Sequence, residues 1–296
     1  MTRGYIDQMT NTPDEWTALT ARIARSVQTT VGWIFWDPGA VSRFETLGLP
    51  GPLGYMASRA APFAGAGHSA LVAAFGSISP LGLRFVVDLL DQEGFMKYWH
   101  ARNEAIVEGL AEHAPEMSGI LKSYGPVLWE VVNQLPFAGR PYAASHLDLP
   151  MPDDPTLQGW HAVNVLREWR GDTHWGIIAE LNLNGPEAST LHNAWLRYDG
   201  EWLSHSRGIA EEEIHKSLES LERRGLVSDG AVNESGIVLR DWIEQETDRR
   251  TTVPWQLLGY AETERLASLM EPPCERLLHR VDVTAGPRYQ PASRIR

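Results

Sequence analysis

"GIAEEEIHKSLESLERRGLVSDGAVNESGIVLRDWIEQETD", residues 208–248, is the most legible stretch of this 296-residue chain. Ile214, Leu218 and Leu221 recur at helical spacing, which predicts a helix over 208–224 that Gly225 ends. In "LVSDGAVNESG" the pair Asp229-Gly230 suits the tight turn of a small hairpin. A further helix is predicted over 237–249. Upstream, the spacing predicts a long helix over about 156–183, through "REWRGDTHWG" at 167–176. "NGPEA" restarts a helix at about Pro186 that ends near Tyr198.

Helix, helix, helix, hairpin, helix is the order of a winged helix-turn-helix. "LERRGLV" and "DGAVNESGIVLRDWIEQETD" resemble the corresponding part of MarR-type regulators, over about a quarter of the chain. A wider resemblance rests on "GYMASRAAP" (54–62), "WHAVNVLREWRGDTHWG" (160–176), "ERRGLV" (222–227) and "ETDRRTTVPWQLLG" (246–259). With these the chain resembles an actinobacterial helix-turn-helix family whose most specific stretch is the R-G-D-x-H element, Arg170 to His174. That resemblance implies an architecture and singles out positions. It implies no reaction.

The expected fold is therefore mostly α: a helical domain over 1–150, then a winged helix-turn-helix-like domain with a C-terminal extension over 151–296. In the first half, Thr12-Pro13-Asp14-Glu15 is a helix start, with Thr12 as cap and proline at the first position. Trp16, Leu19, Ile23 and Val27 then share a face. Helices are also expected near His68–Phe75, after Pro80 and over 121–136, and the proline-rich segment 136–155 reads as the connection. Aligning "GAGHSALVAAFGSISP" (65–80) with "GDTHWGIIAELNLNGP" (171–186) pairs Gly65 with Gly171, His68 with His174, Ala73 with Ala179 and Pro80 with Pro186. On that alignment the first half is a degenerate winged-helix copy, related to the second by a pseudo-twofold, with a cleft between the copies.

Composition narrows the function. With 43% hydrophobic and 22% charged residues the chain can bury a sizeable core. No apolar run reaches the roughly 20 residues of a membrane span. The opening "MTRGYIDQMTNTPDEW" has no apolar core behind its arginine, so no secretory signal and a cytoplasmic location are expected. The one cysteine, Cys274, leaves no internal disulfide and no cysteine cluster for zinc. Twelve tryptophans suit a core or a pocket for a flat ligand.

The net charge of −12, from 38 acids against 26 Lys and Arg, disfavours phosphate backbones. Within 209–236 stand Glu211, Glu212, Glu213, Glu219, Glu222, Asp229 and Glu234 against Lys216, Arg223 and Arg224. In a MarR-type domain this helix and wing meet the DNA. Here three glutamates open the helix and the wing has no Lys or Arg. DNA is not the expected partner.

The candidate site centres on the 156–183 helix, where residues three or four apart share a face. Arg167, Arg170 or Gly171, and His174 form one stripe; His161, Glu168, Asp172 and Trp175 form its neighbour. Gly171 is costly inside a helix, so a close approach by another element or a ligand is expected there. Arg167 or Arg170 suits a carboxylate or phosphate clamp. His174 suits proton transfer near neutrality, with Asp172 or Arg170 in support. Arg59, His68, His161, Trp175, His192 and Trp195 complete the ligand-binding candidates. The competing reading is a scaffold of Arg-Asp ties and structurally satisfied histidines. No metal spacing exists, although His68, His174 and His192 are compatible with ligation across helices, and one histidine suffices for haem. The sequence requires no cofactor. The expected partner is a partly aromatic small molecule, bound or, alternatively, transformed with His174 as acid–base; a MarR-like regulator is the second alternative.

Overall fold

The computed structural model describes residues 11–294, and among these the fold is almost wholly helical. The first half contains α1 (Pro13–Gly32), α2 (Pro38–Thr46), α3 (Gly51–Ala60), α4 (His68–Phe75), α5 (Pro80–Leu89), α6 (Gln92–His113), α7 (Pro115–Val132) and the short α8 (Pro141–Ser145). Thr12 caps α1 in a reciprocal box with Glu15, and Trp16, Leu19, Ile23 and Val27 are buried as their spacing requires. Helix α5 stops where Leu90 turns extended, and Asp91 caps α6 by accepting from Gly94 N at 2.8 Å.

The second half contains α9 (Pro155–Glu180), α10 (Gly185–Trp195), α11 (Trp202–Ser206), α12 (Glu211–Arg223), the strands β1 (Val227–Ser228) and β2 (Ala231–Val232), and α13 (Glu234–Arg250). Two further helices follow, α14 (Val253–Leu258) and α15 (Tyr260–Thr284). The strands pair antiparallel, Val227 with Val232, and Asp229 and Gly230 both have positive φ, as the expected two-residue turn demands. Helices α9 and α10 end earlier than their apolar patterns suggest, because Asn182 and Arg197 enter the left-handed region. Asn233 caps α13 four residues before Ile237, the first apolar position of its pattern.

The two halves interlock. Helix α7, the last long helix of the first half, packs along α9, and α15, the last of the second, packs along α1. At the α7–α9 crossing a β-carbon on Gly159 would stand 2.1 Å from the Leu121 carbonyl oxygen, so only glycine permits this approach. One apolar cluster runs from Trp16 to Val281 and takes in the first four turns of α9 together with α14 and α15. A smaller cluster under the wing gathers Ile177, Ile178, Leu191, Leu221, Val227 and Ile243. The expected boundary near residue 150 therefore does not divide the packing, because each half lends a helix to the other. The alignment of 65–80 with 171–186 is not reproduced either: His68 opens α4, whereas His174 lies inside α9.

Candidate functional site

The C-terminal half of α9 borders a deep cavity of about 540 Å3, within the range typical of small-molecule sites. Both halves supply its walls. Trp36, Tyr55 and Phe75 come from the first; Trp175, Trp195 and Trp202 come from the second. Of the twelve tryptophans, Trp33, Trp99, Trp160 and Trp169 are fully buried in the core and four others, Trp36, Trp175, Trp195 and Trp202, face the cavity. Trp175 is seated against Gly76, where a β-carbon would come within 2.2 Å of its ring, and Gly76 itself has φ +61°.

A strap of residues 286–294 lies over one side. Tyr289 packs against Trp36 at 4.4 Å and Trp202 at 5.0 Å between ring centroids. Gln290, in the left-handed region at φ +61°, drives its side chain into the space that a Gly32 side chain would fill. There its Nε2 donates to the Gln28 carbonyl at 2.9 Å. The Gln28 side chain in turn accepts from Arg167 Nε at 2.9 Å, so the strap and α9 are tied through one residue.

The polar walls form two ion-pair groups. In the first, Glu168, 3% exposed, receives Arg167 and Arg59, the latter at 3.1 Å. Burial alone would raise its carboxyl pKa, but the two guanidiniums overcome this and hold it at about 2. In the second, Arg170 pairs with Glu244 at 2.6 Å and Asp248 at 2.7 Å, and Glu244 also receives Arg240 at 2.7 Å. Burial resists ionisation of Glu244, yet Arg240 and Arg170 keep its pKa well below the usual carboxylate range.

His174 Nδ1 lies 3.0 Å from Thr247 Oγ1, whose own hydroxyl donates to the Ile243 carbonyl at 2.7 Å. With that proton committed, the hydroxyl can only accept, so His174 carries its proton on Nδ1 and leaves Nε2 as an acceptor. Desolvation first, and then the Arg240 guanidinium, pull its pKa down to about 3. His192 is pushed well below the ordinary value by burial and by Arg240 and Arg207. Both rings are neutral at physiological pH. This environment works against the expected role of His174 as an acid–base group near neutrality, because its neighbours disfavour the imidazolium.

Seven of the ten candidate residues line this one cavity: Arg59, Arg167, Arg170, His174, Trp175, His192 and Trp195. Three do not. Asp172 points away and accepts from the Ala143 amide at 2.9 Å; burial raises its carboxyl pKa to about 6. His68 sits at the start of α4 with Nε2 3.0 Å from the Pro80 carbonyl oxygen. His161 is buried in the core between the rings of Trp99 and Trp160. The triad His68, His174 and His192 is therefore not assembled. Arg167 and Arg170 face the cavity as expected of a clamp, but their guanidiniums are already engaged with carboxylates. The close approach expected at Gly171 comes from no neighbouring element, since a β-carbon there would meet only Glu168 Oε2, at 3.4 Å. Sequence reasoning passed over Arg207, Arg240 and Glu244. The last two stand at i, i+4 on the α13 face opposite α9, a spacing that was available as a signal. Arg207, in the turn after α11, carried none.

In the α12–wing region all seven acids are exposed. Lys216 is paired to Glu212 at 2.6 Å, and Arg224 donates to the carbonyls of Leu181 and Asn182 at the end of α9. Among the described residues no helix is long and apolar enough to cross a membrane. No curated protein and no solved structure gives a match to the chain. A family model described as "Helix-turn-helix family" matches residues 20–284, a span that takes in both interlocked halves and the cavity between them. The chain belongs to this helix-turn-helix family.

Proposed function

We propose that this protein binds a small, partly aromatic molecule between its halves, using a helix-turn-helix scaffold as a ligand-binding frame. The cavity of about 540 Å3 beside the Arg170–His174 element carries the reading, because tryptophan faces and fixed polar groups converge on it. The aromatic walls supply contact area at low rotamer cost. His174 Nε2 offers an acceptor that orients the bound molecule. Transformation of the ligand with His174 as general base is the weaker reading, since the neutral ring has little proton affinity at pH 7.

The exposed acids of α12 and the wing support binding of something other than nucleic acid. A gel shift with genomic fragments at physiological salt is expected to give no complex.

The test of the cavity reading uses N-phenyl-1-naphthylamine, a neutral aromatic dye. Its fluorescence should rise saturably at one dye per chain, with quenching of tryptophan emission. Gly171→Leu, which projects a side chain into the cavity from a helix that tolerates leucine, should abolish this while the far-UV circular dichroism is unchanged. Dye binding that survives in a folded Gly171→Leu protein, or no saturable binding to the parent, overturns the proposal.

A further inference from the structure

Arg207 differs from the other arginines of the cavity wall. Arg59 and Arg167 share Glu168; Arg170 and Arg240 share Glu244, with Asp248 beside them. Arg207 has no carboxylate within ion-pair distance among the described residues. It is nonetheless held rigidly. Its carbonyl accepts from Ser79 N at 2.9 Å, and Nη1 donates to Ser189 Oγ at 2.8 Å. Ser189 is fully buried and passes its own proton to the Gly185 carbonyl at 3.0 Å, so its oxygen is free to accept from Arg207.

Next to this guanidinium a small niche of about 30 Å3 adjoins the main cavity, with Arg207, Arg240, His174, His192 and Ser77 as its polar lining and apolar side chains such as Ile178 and Leu191 as the rest. A water needs roughly 10–15 Å3 by such a measure, so the niche has room for two oxygen-sized groups. Arg240 is 3% exposed, and its Nη1, unlike its Nη2, has no hydrogen-bond partner. Two guanidiniums therefore border a space sized for a two-oxygen group. One lacks a counter-charge and the other carries an unused buried donor. The flanking His174 and His192 are neutral and bring no negative charge to oppose an anion.

Resting on the cavity reading above, we infer that the niche is an anion subsite and that the ligand is an aromatic organic acid. Its oxyanion is held by Arg207 together with Arg240 Nη1, and its ring lies along the tryptophan-lined wall. The physical reason is desolvation. Arg207 is half-buried, and a guanidinium that has lost part of its water without gaining a counter-charge is unfavourable until an anion takes the place of the lost solvent. The same burial without a partner lowers the Arg207 pKa to about 10. A planar guanidinium also matches the two oxygens of a carboxylate better than a point charge would.

The test compares three probes that share one aromatic body, 1-naphthoate, 1-naphthalenesulfonate and the neutral 1-naphthamide, each displacing N-phenyl-1-naphthylamine from the wild-type protein. At least one anion should compete at least tenfold better than the amide. A preference for carboxylate over sulfonate identifies a planar head group, and the reverse identifies a tetrahedral one; either supports the subsite. In Arg207→Met the anion preference should fall to within about twofold, while the amide competes as before. The melting temperature of the unliganded variant should be unchanged or raised, because a half-buried charge without a counter-charge has been removed. Arg207→Lys should retain a reduced preference. Equal competition by amide and anions in the wild type, or an intact preference in a folded Arg207→Met protein, overturns the anion subsite and leaves the cavity reading standing. Failure of the dye itself to bind removes both.

Discussion

Two glycines on one helix give the sharpest test of where the empty space lies. Gly159 and Gly171 both sit inside α9, where glycine costs about 0.5–1 kcal/mol relative to alanine. At Gly171 a new methyl would meet only Glu168 Oε2, at 3.4 Å, an ordinary contact. Gly171→Ala should therefore recover most of the helix term. At roughly 2–4 °C per kcal/mol for a protein of this size class, the melting temperature should rise by about 1–4 °C. At Gly159 the methyl would stand 2.1 Å from the Leu121 carbonyl oxygen and 2.9 Å from its Cα, both backbone atoms of α7. The helices would have to part by about 1 Å, and forced overpacking of this kind costs roughly 1–3 kcal/mol or more. Gly159→Ala should melt several degrees below the parent. Differential scanning calorimetry on the three proteins decides the matter, and dye affinity should weaken in Gly171→Ala despite its greater stability. Equal destabilisation by the two substitutions would mean that α9 is pressed as tightly at 171 as at 159, and the cavity reasoning would fail with it.

Glu168→Gln should lower the unfolding free energy by about 3–5 kcal/mol, measured by urea titration, because it leaves Arg59 and Arg167 buried without their shared carboxylate. Stability should also fall on mild acidification. Burial holds His146 at about 4 and His161 at about 3, below their unfolded value near 6.5, so the unfolded chain binds more protons under pH 6.5. Each contributes up to about 1.4 kcal/mol lost per pH unit between pH 6.5 and its folded pKa, while Glu168 adds its loss only below about pH 4.5. Flat urea stability from pH 7 to 5 would contradict this, and His161→Phe should lessen the slope. Gly32→Ala should evict the Gln290 side chain and forfeit its buried hydrogen bond at a cost of about 1–3 kcal/mol. Limited proteolysis should then cut beyond Ala285 faster than in the parent, and unchanged protection would refute the seating of the strap on α1.

The winged half was legible because its signals are local. Asp229-Gly230 specifies a turn by its own backbone preference, and Ile214, Leu218 and Leu221 mark a face that any core would bury. The stripe from Arg167 to Trp175 was legible for the same reason, since helical geometry alone puts these residues on neighbouring faces. Asp172 was misplaced by that logic. Its position borders the cavity-facing stripe, but the Ala143 amide beside α9 captures its carboxylate, and that contact spans 29 residues of chain. Helix α15 carries Pro272 and Pro273 in its interior, residues whose local preference is against a helix. The helix survives because Leu266, Ala267 and Met270 before the prolines and Leu277 and Val281 after them bury against the same core. Arg207 lay beyond sequence reasoning altogether, because its significance is the absence of a carboxylate partner, and that absence is a property of the assembled walls.

The charge pattern around the cavity gives a reason to ascribe it to binding rather than to folding. Two buried ion-pair groups, Glu168 with Arg59 and Arg167 and Glu244 with Arg170 and Arg240, each lose hydration that their mutual attraction only roughly restores. Apolar residues of similar volume at these positions would be as stable or more so, and the core a few turns earlier on α9 shows that the chain can fill such space with Trp160, Val163 and Leu166. The glycine crossing at 125 and 159 brings α7 and α9 as close as backbones permit, so the void beyond it is not a consequence of bulky spacers. Polar side chains that cost stability, facing a space the packing elsewhere avoids, are the arrangement expected where a ligand completes the hydrogen bonds. The exposed carboxylates of α12 act in the same sense from outside, since they complement the helix N-terminus while repelling a phosphate backbone. Inside, positive groups exceed their partners; outside, at the helix that reads DNA in MarR-type domains, negative groups do. On the proposed reading, that inversion would let a helix-turn-helix frame hold a small acid in place of a nucleic acid.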